Sequence, residues 1–236
     1  MGKDILDIGG FSIQKRIGIG ARSTIYLAAD EQDKTTIALK RVIFERPEDT
    51  RIFEQMETEF KVARRIDNPY IRKCYKLKKI RSMFKVTEML LSMEYFDGVS
   101  LEEGPNLSLV DVLLVFRMVA DGLHAMHQKG FVHCDIKPNN ILMDKAGSIK
   151  IIDLGQSCKI GTIKKRIQGT PDYIAPEQVN RKPMGPKTDV FNLGATMYWA
   201  LTGRNVPTLI PKKDEMGMNI PQQCRAPHEM RKQIPI

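Results

Sequence analysis

The chain has 236 residues, of which 42% are hydrophobic and 28% charged, and its net charge is +9. This length allows one large domain or two smaller lobes, and the apolar content supplies a core, which argues against disorder over most of the chain. Four cysteines without CxxC spacing indicate neither a zinc knuckle nor a disulfide framework and fit a cytoplasmic protein. The first residues, MGKDILDIGG, do not form a secretory signal, and no apolar run is long enough to span a bilayer.

The positive charge is compatible with nucleic acid or with a small anionic ligand such as a nucleotide. The basic residues form short, scattered clusters, and no aromatic platform lies between them. We therefore expect no nucleic-acid binding and interpret most of these side chains as solvated surface. The clusters are Arg64-Arg65, Lys76 with Lys78 and Lys79, Lys164-Lys165-Arg166, and Lys212-Lys213.

The first part of the chain has the period of β-strands. Alternation and β-branched residues predict strands in FSIQKRIG, STIYLAAD and TTIALKRVIF, with the turn EQDK between the second and third. Residues 51–66 change to the helical period, and Glu59 falls on the apolar stripe of this helix. A carboxylate on an apolar face is costly without a partner, so Glu59 either meets a cation or bends out to water. The stripe consists of Ile52, Met56, Ala63 and Ile66.

The middle of the chain continues with two strand-like runs, around residues 70–80 and 84–95. FDGVS at 96–100 has the composition of a connector and is the candidate boundary between two lobes.

A helix is predicted from Ser108, a possible N-cap, to about Gln128, with Gly130 as the stop signal. Two short strands, ILMD and SIKIID, follow. Residues 188–203 are apolar almost all round, which predicts a buried helix that ends at Gly203. The remaining residues hold several prolines and little periodicity.

The segment IGIGARST lies between two predicted strands. Gly18 and Gly20 permit the backbone to approach phosphates closely and to cradle them with N–H groups. The segment opens no helix, so neither the dinucleotide fingerprint nor a Walker loop fits. The pattern G-x-G-x-x-G-x-V is met at Gly18, Gly20 and approximately Ile25, with Ser23 in place of the third glycine.

A lysine on the third predicted strand complements this loop. Lys40, in IALK, could meet the α- and β-phosphates of a nucleotide. Glu59 follows on the next helix, and an ion pair between the two would explain the acid on an apolar stripe. Such a pair would also hold the ammonium group toward the nucleotide.

The segment HCDIKPNN at 133–140 would, taken alone, be a solvated turn. Considered together with the other motifs, its side chains can be assigned catalytic and metal-binding roles. Asp135 can orient a hydroxyl nucleophile and take its proton, Lys137 can neutralise charge on the transferred phosphoryl group, and Asn140 can supply an oxygen to a metal ion. The DLG motif that follows adds the carboxylate of Asp153, and Mg²⁺ prefers such hard oxygen ligands.

Together these motifs resemble those of the eukaryotic-type protein kinase family. The resemblance runs from about Phe11 to Gly203 and includes GIGARSTI, IALK, Glu59, HCDIKPNN, DLG and APE. It implies ATP as the nucleotide and Mg²⁺ as the metal. It also implies an α+β, two-lobed fold, with a small β-rich N-lobe carrying one helix (about 11–95), a hinge (about 94–98) and a larger, mainly helical C-lobe (about 99–236).

The resemblance assigns further residues to nucleotide binding. Met93 would be the gatekeeper beside the adenine, while the Glu94 carbonyl and the Phe96 N–H would hydrogen-bond the adenine edge. Asp189 would hold the catalytic loop by its backbone. The residues assigned to the nucleotide are Ile17, Gly18, Ile19, Gly20, Ile25, Ala38, Lys40, Glu59, Met93, Glu94, Phe96 and Leu142, with Ile17, Ile25, Ala38 and Leu142 around the ring.

The substrate class follows from the same resemblance. Lys137 two residues after Asp135, together with GTPDYIAPE, is similar to the serine/threonine branch, in which Thr170 would bond both side chains. A protein substrate with a serine or threonine hydroxyl is therefore implied. The compact KPNNIL and the activation segment of 25 residues, Asp153 to Glu177, are similar to bacterial members.

Two positions depart from the family pattern. Cys134 replaces the arginine that in many members receives an activation-loop phosphate, and Arg166 stands near the place of the phosphoacceptor. We therefore hypothesise that activity does not depend on that phosphorylation, with Thr162 as the nearest loop threonine. The basic run 164–166 could replace part of the phosphate's ordering effect by pairing with acids. The Cys134 thiol is either redox-sensitive or buried and inert.

Family members continue with further helices beyond the region that matches HEMRKQIPI, so the kinase domain, 11–236, is expected to be incomplete at its C-terminus. The sequence leaves three interpretations. The first is an active kinase that transfers the γ-phosphate of ATP, and the second is a weak or inactive kinase-like nucleotide-binding or scaffold module. A basic nucleic-acid-binding domain would rest on net charge alone. The oligomeric state is not predicted. The active interpretation is favoured by the presence of Lys40, Asp135, Asn140 and Asp153.

Overall fold

The computed structural model describes residues 6–20, 22–32, 34–104, 106–207, 210 and 224–234. The predictions about the first five residues and about Lys212-Lys213 lie outside this part of the chain. The chain divides into two compact units. The N-terminal unit contains residues 1–67 and 72–97, and the C-terminal unit contains residues 68–71 and 98–236.

The N-terminal unit is built on an antiparallel sheet with the strand order β1-β2-β3-β4-β6-β5. All five predicted strands are present. The additional β1 has only two residues, too few to show alternation. The strands are β1 (Leu6–Asp7), β2 (Phe11–Ile19), β3 (Thr24–Asp30), β4 (Thr36–Ile43), β5 (Cys74–Ser82) and β6 (Lys85–Glu94).

Strand β5 begins at Cys74, whereas the sequence pattern predicts a start near residue 70. Residues 68–71, in contrast, belong to the C-terminal unit. There Ile71 forms a parallel bridge with Ile151, whose N–H donates to the Tyr70 carbonyl at 2.7 Å. The strand-like run predicted over residues 70–80 therefore contributes residues to two different sheets.

The two faces of the sheet differ in chemistry because side chains alternate along each strand. On one face, Ile37 and Leu39 of β4 join a buried apolar cluster. Ala38 and Lys40 consequently point to the other face. The cluster consists of Ile8, Phe11, Ala28, Ile37, Leu39 and Leu90.

Helix α1 (Asp49–Ala63) belongs to the same unit. Its buried residues recur with the helical period, and Glu59 is among them with 1% of its surface exposed. The alternative in which Glu59 bends out to water is therefore wrong. The buried residues are Asp49, Phe53, Met56, Glu59, Val62 and Ala63.

The C-terminal unit contains the longer helices. The Ser108 hydroxyl accepts a hydrogen bond from the Asp111 N–H at 3.2 Å, and Gly130 has a φ of +77°, so both predicted ends of the first helix are confirmed. None of the helices in the described residues has the length and apolar character needed to cross a membrane. The helices are α2 (Leu109–Gln128), α3 (Pro176–Val179), α4 (Pro186–Thr202) and α5 (Pro227–Met230).

Two small sheets complete this unit. One has the order β10-β9-β7, and the other pairs β11 with β8. One-turn 3₁₀ helices lie at Pro138–Asn140 and Leu154–Gln156. The strands are β7 (Val99–Ser100), β8 (Phe131–Val132), β9 (Ile141–Met143), β10 (Ile149–Ile151) and β11 (Cys158–Lys159).

Helix α4 differs from the prediction of a helix buried all round. Val190 is 63% exposed, and most of the buried residues of the helix are polar. They are buried because they bind backbone groups of neighbouring loops, which an apolar helix face could not do. These residues are Thr188, Asp189, Asn192 and Thr196.

Candidate active site

The glycine-rich segment forms the turn between β2 and β3. The Gly20 N–H donates to the Ser23 carbonyl at 2.7 Å. A Cβ atom at Gly20 would lie 2.7 Å from the Ser23 hydroxyl oxygen, so a larger residue here would require the Ser23 side chain to rotate away. The neighbouring side chains of Ile17 and Ile19 are 41% and 70% exposed.

The strand register aligns several of the predicted nucleotide residues. Ile25 pairs with both Gly18 and Lys40, and Ala38 pairs with Met93. Directly opposed residues of antiparallel strands share a face. These five residues therefore lie on one face of the sheet, opposite the apolar cluster. Ala38 and Met93 are buried there.

Lys40 and Glu59 form an ion pair on this face. Lys40 Nζ lies 2.8 Å from Glu59 Oε2, and the Glu59 side chain is 2% exposed. A second cation, Arg72, approaches Glu59 Oε1 at 3.5 Å. Sequence reasoning missed Arg72, because it lies in an irregular stretch without a period. Its only signal is a positive charge just before a strand.

The end of β6 leads into the connector. The Glu94 N–H donates to the Lys73 carbonyl at 2.9 Å, and the Glu94 carboxylate accepts from the Lys73 N–H at 3.2 Å. Within the described residues, the Phe96 N–H has no hydrogen-bond acceptor. That N–H can therefore bind an acceptor atom of a ligand.

The HCDIKPNN segment at 133–140, the candidate catalytic loop, is held by a buried carboxylate. Asp189 of α4 accepts hydrogen bonds from the backbone N–H groups of His133 and Cys134 at 2.9 and 2.8 Å. His127 Nε2 lies 2.8 Å from the same carboxylate. His133 is fully buried and Asp135 is 7% exposed, so the interpretation of this segment as a solvated turn is wrong.

The three predicted catalytic side chains are in contact with one another. The Thr170 hydroxyl donates to Asp135 Oδ1 at 3.0 Å and accepts from Lys137 Nζ at 2.9 Å. Lys137 Nζ also lies 3.6 Å from Asp135 Oδ2. An acid, an ammonium group and a hydroxyl are thus arranged around one point of the loop.

The chain segments that carry the two predicted metal ligands, Asn140 and Asp153, are hydrogen-bonded to each other through their backbones. The Ile152 N–H donates to the Asn140 carbonyl at 2.9 Å, which places Asp153 directly beyond this contact. Asn140 Nδ2 donates to the Asp135 carbonyl at 2.8 Å, so the amide presents Oδ1 as its acceptor. Asp153 has a φ of +61°, a strained conformation for an aspartate. An amide oxygen and a carboxylate fit Mg²⁺.

The remaining predicted residue, Leu142, lies on β9 opposite Lys150 and Ser100 and is half-buried. It belongs to the C-terminal unit, unlike Ile17, Ile25 and Ala38. The glycine-rich segment, Lys40 and Glu59 thus lie in the N-terminal unit. The three predicted catalytic residues and the two predicted metal ligands lie in the C-terminal unit.

Gln178 is a second residue that sequence reasoning missed. Its Nε2 donates to the carbonyls of Cys134 and Gln168 at 2.8 and 2.9 Å, while its Oε1 accepts from the Ala175 N–H at 3.0 Å and from Asn192 Nδ2 at 3.1 Å. This buried amide therefore joins the catalytic loop, the activation segment and α4. Its position directly after the APE motif is the only signal in the sequence.

The basic run of the activation segment pairs differently from the expectation. Lys164 Nζ donates to the backbone carbonyl of Gln156 rather than to an acid. The contact still links the middle of the segment to its start, because a backbone carbonyl at a one-turn helix can accept a charged donor.

Comparisons with known proteins agree with this geometry. A model of the protein kinase domain matches residues 11–234. The serine/threonine-protein kinase PrkC of Bacillus subtilis is 30% identical over 221 residues, which are 90% of this chain and 32% of that protein. CST20 of Candida albicans is 36% identical over 80% of this chain and 15% of its own length. The protein pakH of Dictyostelium discoideum is 30% identical over 78% of this chain and 36% of its own length.

The chain thus spans about a third or less of the length of these relatives, each of which is named a serine/threonine-protein kinase. The domain model covers nearly all of the chain, and strands followed by helices give the expected α+β composition. The chain belongs to the protein kinase family.

Proposed function

We propose that the chain is a serine/threonine protein kinase that transfers the γ-phosphate of ATP to hydroxyl groups of a protein substrate. The observation that carries this proposal is the contact set of Asp135, Lys137 and Thr170. The three relatives described above, all named serine/threonine-protein kinases, support the same branch.

The C-terminal unit supplies the groups for phosphoryl transfer. Asp135 accepts the proton of the substrate hydroxyl and orients its oxygen for attack. Lys137 places a positive charge beside the oxygens of the group in transfer, and Thr170 fixes the acid and the lysine relative to each other. Catalysis of this reaction depends mainly on such positioning and charge.

Asn140 and Asp153 would hold Mg²⁺. When bound, this ion neutralises phosphate charge on the nucleotide. The buried hydrogen bond from Asn140 Nδ2 to the Asp135 carbonyl fixes the amide so that its oxygen is the ligand atom. The same contact couples the position of that ligand to the acid.

The N-terminal unit supplies the groups for nucleotide binding. The glycine-rich turn between β2 and β3 lets the backbone approach phosphate oxygens closely, and Lys40 adds a positive charge that Glu59 holds in place. The Phe96 N–H serves as donor to the adenine edge, with Met93 as the gatekeeper on β6. We place the domain in a reducing compartment such as the cytoplasm, since its four cysteines are free thiols.

The decisive experiment is phosphate transfer from ATP with Mg²⁺ to a generic protein substrate. Loss of a general base costs roughly 10²–10⁴-fold in rate, so Asp135→Asn is expected to reduce transfer by that factor. Asp121→Asn, an exposed change of the same type on α2, serves as the matched control and should retain the full rate.

Two results would contradict the proposal. Equal transfer by Asp135→Asn and wild type would remove Asp135 from the reaction. Nucleotide binding by the wild type without any transfer would instead identify a non-catalytic kinase-like module.

A further inference from the structure

Two cysteine thiols meet between the catalytic loop and the activation segment. Strand β11 pairs with β8 so that Cys158 is opposite Val132, and Cys134 follows two residues later. A φ of +66° at Cys134 turns the chain there. The two Sγ atoms lie 3.7 Å apart, both within the C-terminal unit.

The two thiols differ in access to solvent. Cys134 is fully buried and packs with Val132 and Met184, whereas Cys158 is only partly buried at the edge of this cluster. A small oxidant therefore reaches Cys158 first. Because Cys134 is buried, its thiol reacts with the oxidised sulfur of Cys158 rather than with the oxidant itself.

The surroundings also favour the thiolate form of Cys158. A hydrogen bond from the Cys134 thiol lowers the pKa of Cys158 more than partial burial raises it, and the Lys164 ammonium and the Thr162 hydroxyl lower it further. The same hydrogen bond, together with burial, raises the pKa of Cys134. The more accessible sulfur is thus also the better nucleophile.

The backbone around Cys134 is held on both sides. Its N–H donates to Asp189 at 2.8 Å, and its carbonyl accepts from Gln178 at 2.8 Å. Cys158 lies in a strand of two residues at the start of the activation segment. A disulfide needs the two sulfur atoms to approach from 3.7 Å to about 2.05 Å.

We propose that Cys134 and Cys158 form a redox modification site, in which a hydroperoxide generates an intrachain disulfide that fastens the activation segment to the catalytic loop. The proposal goes beyond the phosphotransfer proposed above, and its significance as regulation rests on that function. Formation of the disulfide itself does not depend on phosphotransfer.

The reaction balances with one hydroperoxide. The Cys158 thiolate attacks one peroxide oxygen, the O–O bond breaks, and Cys158 sulfenic acid forms while the other oxygen leaves as water after protonation. The Cys134 sulfur then attacks the sulfenic sulfur, the S–O bond breaks, and the leaving hydroxide takes the Cys134 proton to give water. In total, two thiols and hydrogen peroxide yield one disulfide and two waters. A dithiol reductant reverses the bond by exchange.

Mass spectrometry tests the bond directly. The reduced chain, carrying Cys224→Ser to remove an exposed thiol, is treated with hydrogen peroxide, alkylated and digested with trypsin without reduction. We expect the intact chain to lose two hydrogen atoms and the peptides 130–145 and 151–159 to be linked. The linkage should be absent in Cys158→Ser. It should persist in Cys74→Ser, because burial raises the pKa of Cys74 to about 12 and leaves its thiol unreactive.

Absence of the linked peptides, or linkage through Cys74, would overturn the proposal. The same digestion is carried out on Asp135→Asn, since the bond requires no phosphotransfer. A linked peptide pair in a chain that lacks transfer activity would leave this site standing while the proposed function fails.

Limited proteolysis tests the fastening. Cleavage at Lys164-Lys165-Arg166 is expected to be several-fold slower in the oxidised chain than in the reduced chain, and dithiothreitol should restore the faster rate. Equal cleavage rates in the two forms would show that the bond does not restrain the segment.

Discussion

At the scale of the residue, the hydroxyl of Thr170 connects the two charged groups of the proposed reaction. It donates to Asp135 and accepts from Lys137. A hydrogen bond to a charged group contributes about 1.5–3 kcal/mol. We therefore expect Thr170→Val to lower kcat by about 10- to 100-fold, while Thr170→Ser, which keeps the hydroxyl, stays near the wild-type rate. Steady-state kinetics with ATP and a protein substrate measures both variants. Equal losses in Thr170→Val and Thr170→Ser would contradict this prediction, because Thr170→Ser keeps the hydroxyl and should then keep the rate.

A second residue-scale prediction concerns the buried Asp49 at the start of α1. Arg22 Nε donates to its carboxylate at 2.7 Å, and the N–H groups of Glu45 and Arg46 donate at 2.9 Å each. The Arg22 guanidinium, followed by these N–H groups, holds the pKa of Asp49 well below its usual range. The unfolded chain has the ordinary pKa of about 3.9, so the carboxylate stabilises the fold above that pH and loses this effect as the pH falls toward the lowered pKa.

Asp49→Asn should consequently be less stable than the wild type at pH 7, and the difference should shrink as the pH falls below about 4. Urea midpoints measured over this range test the trend. Asp121→Asn, at an exposed position on α2, is the control and should follow the wild type at every pH. A difference that stays constant with pH would mean that Asp49 acts by shape rather than by charge.

The same residues show what a sequence can predict about a site. Lys40 and Glu59 were predicted as partners because the glutamate interrupts an apolar period, and the structure contains the pair. Arg72, Gln178 and Asp49 were not predicted. Their partners are distant in sequence and often backbone atoms, and neither spacing nor composition encodes such contacts.

At the scale of the element, replacing each of two helix glycines by alanine is expected to change the free energy of unfolding in opposite directions. A Cβ at Gly122 of α2 would lie 2.8 Å from Ile151 Cδ1 and 3.3 Å from Tyr70 Cβ. Ile151 is fully buried and cannot move aside freely. Overpacking costs about 1–3 kcal/mol, more than the roughly 1 kcal/mol that alanine gains over glycine in a helix. We expect Gly122→Ala to lower the free energy of unfolding by about 1 kcal/mol.

Gly194 of α4 is the matched control, since it is exposed and a Cβ there would meet nothing within 4 Å. Gly194→Ala should raise the free energy of unfolding by up to about 1 kcal/mol. Urea denaturation of both variants measures the two changes. Stabilisation by both substitutions would show that the α2 contact adjusts without cost.

The elements themselves were largely predictable, because each has a strong local period. α1 and α2 and strands β2 to β6 follow alternation, helical stripes and caps. Helix α4 was predicted as a helix but with the wrong environment. Its apolar composition does not reveal the buried polar residues that bind the 133–140 loop and the activation segment. Composition alone cannot show which face of a helix is covered.

At the scale of the whole molecule, the α+β class follows from strands that precede helices in the chain. The assignment of residues 68–71 to the C-terminal unit does not follow from this order. The run continues directly into β5 and has the same strand-like character. The pairing of Ile71 with Ile151 and the proximity of Tyr70 to Gly122 of α2 tie the run to the C-terminal unit, and that pairing spans about a third of the chain.

Nucleotide binding should stabilise the whole folded chain. A ligand at 100 times its Kd that binds only the folded state adds about 2.7 kcal/mol, and for a chain of this size about 2–4 °C per kcal/mol is expected. ATP with Mg²⁺ should therefore raise the thermal midpoint by roughly 5–10 °C. Scanning calorimetry with and without the nucleotide measures this shift.

Lys40→Met should remove most of the shift without unfolding the chain, because Glu59 retains Arg72 as a partner. Lys79→Met, which removes a partly exposed ion pair with Glu57, is the matched control and should keep the shift. The midpoint of each variant without nucleotide shows whether its fold is intact. If Lys40→Met kept the full shift, the charge at Lys40 would contribute little to nucleotide binding, and the ion pair with Glu59 would be structural.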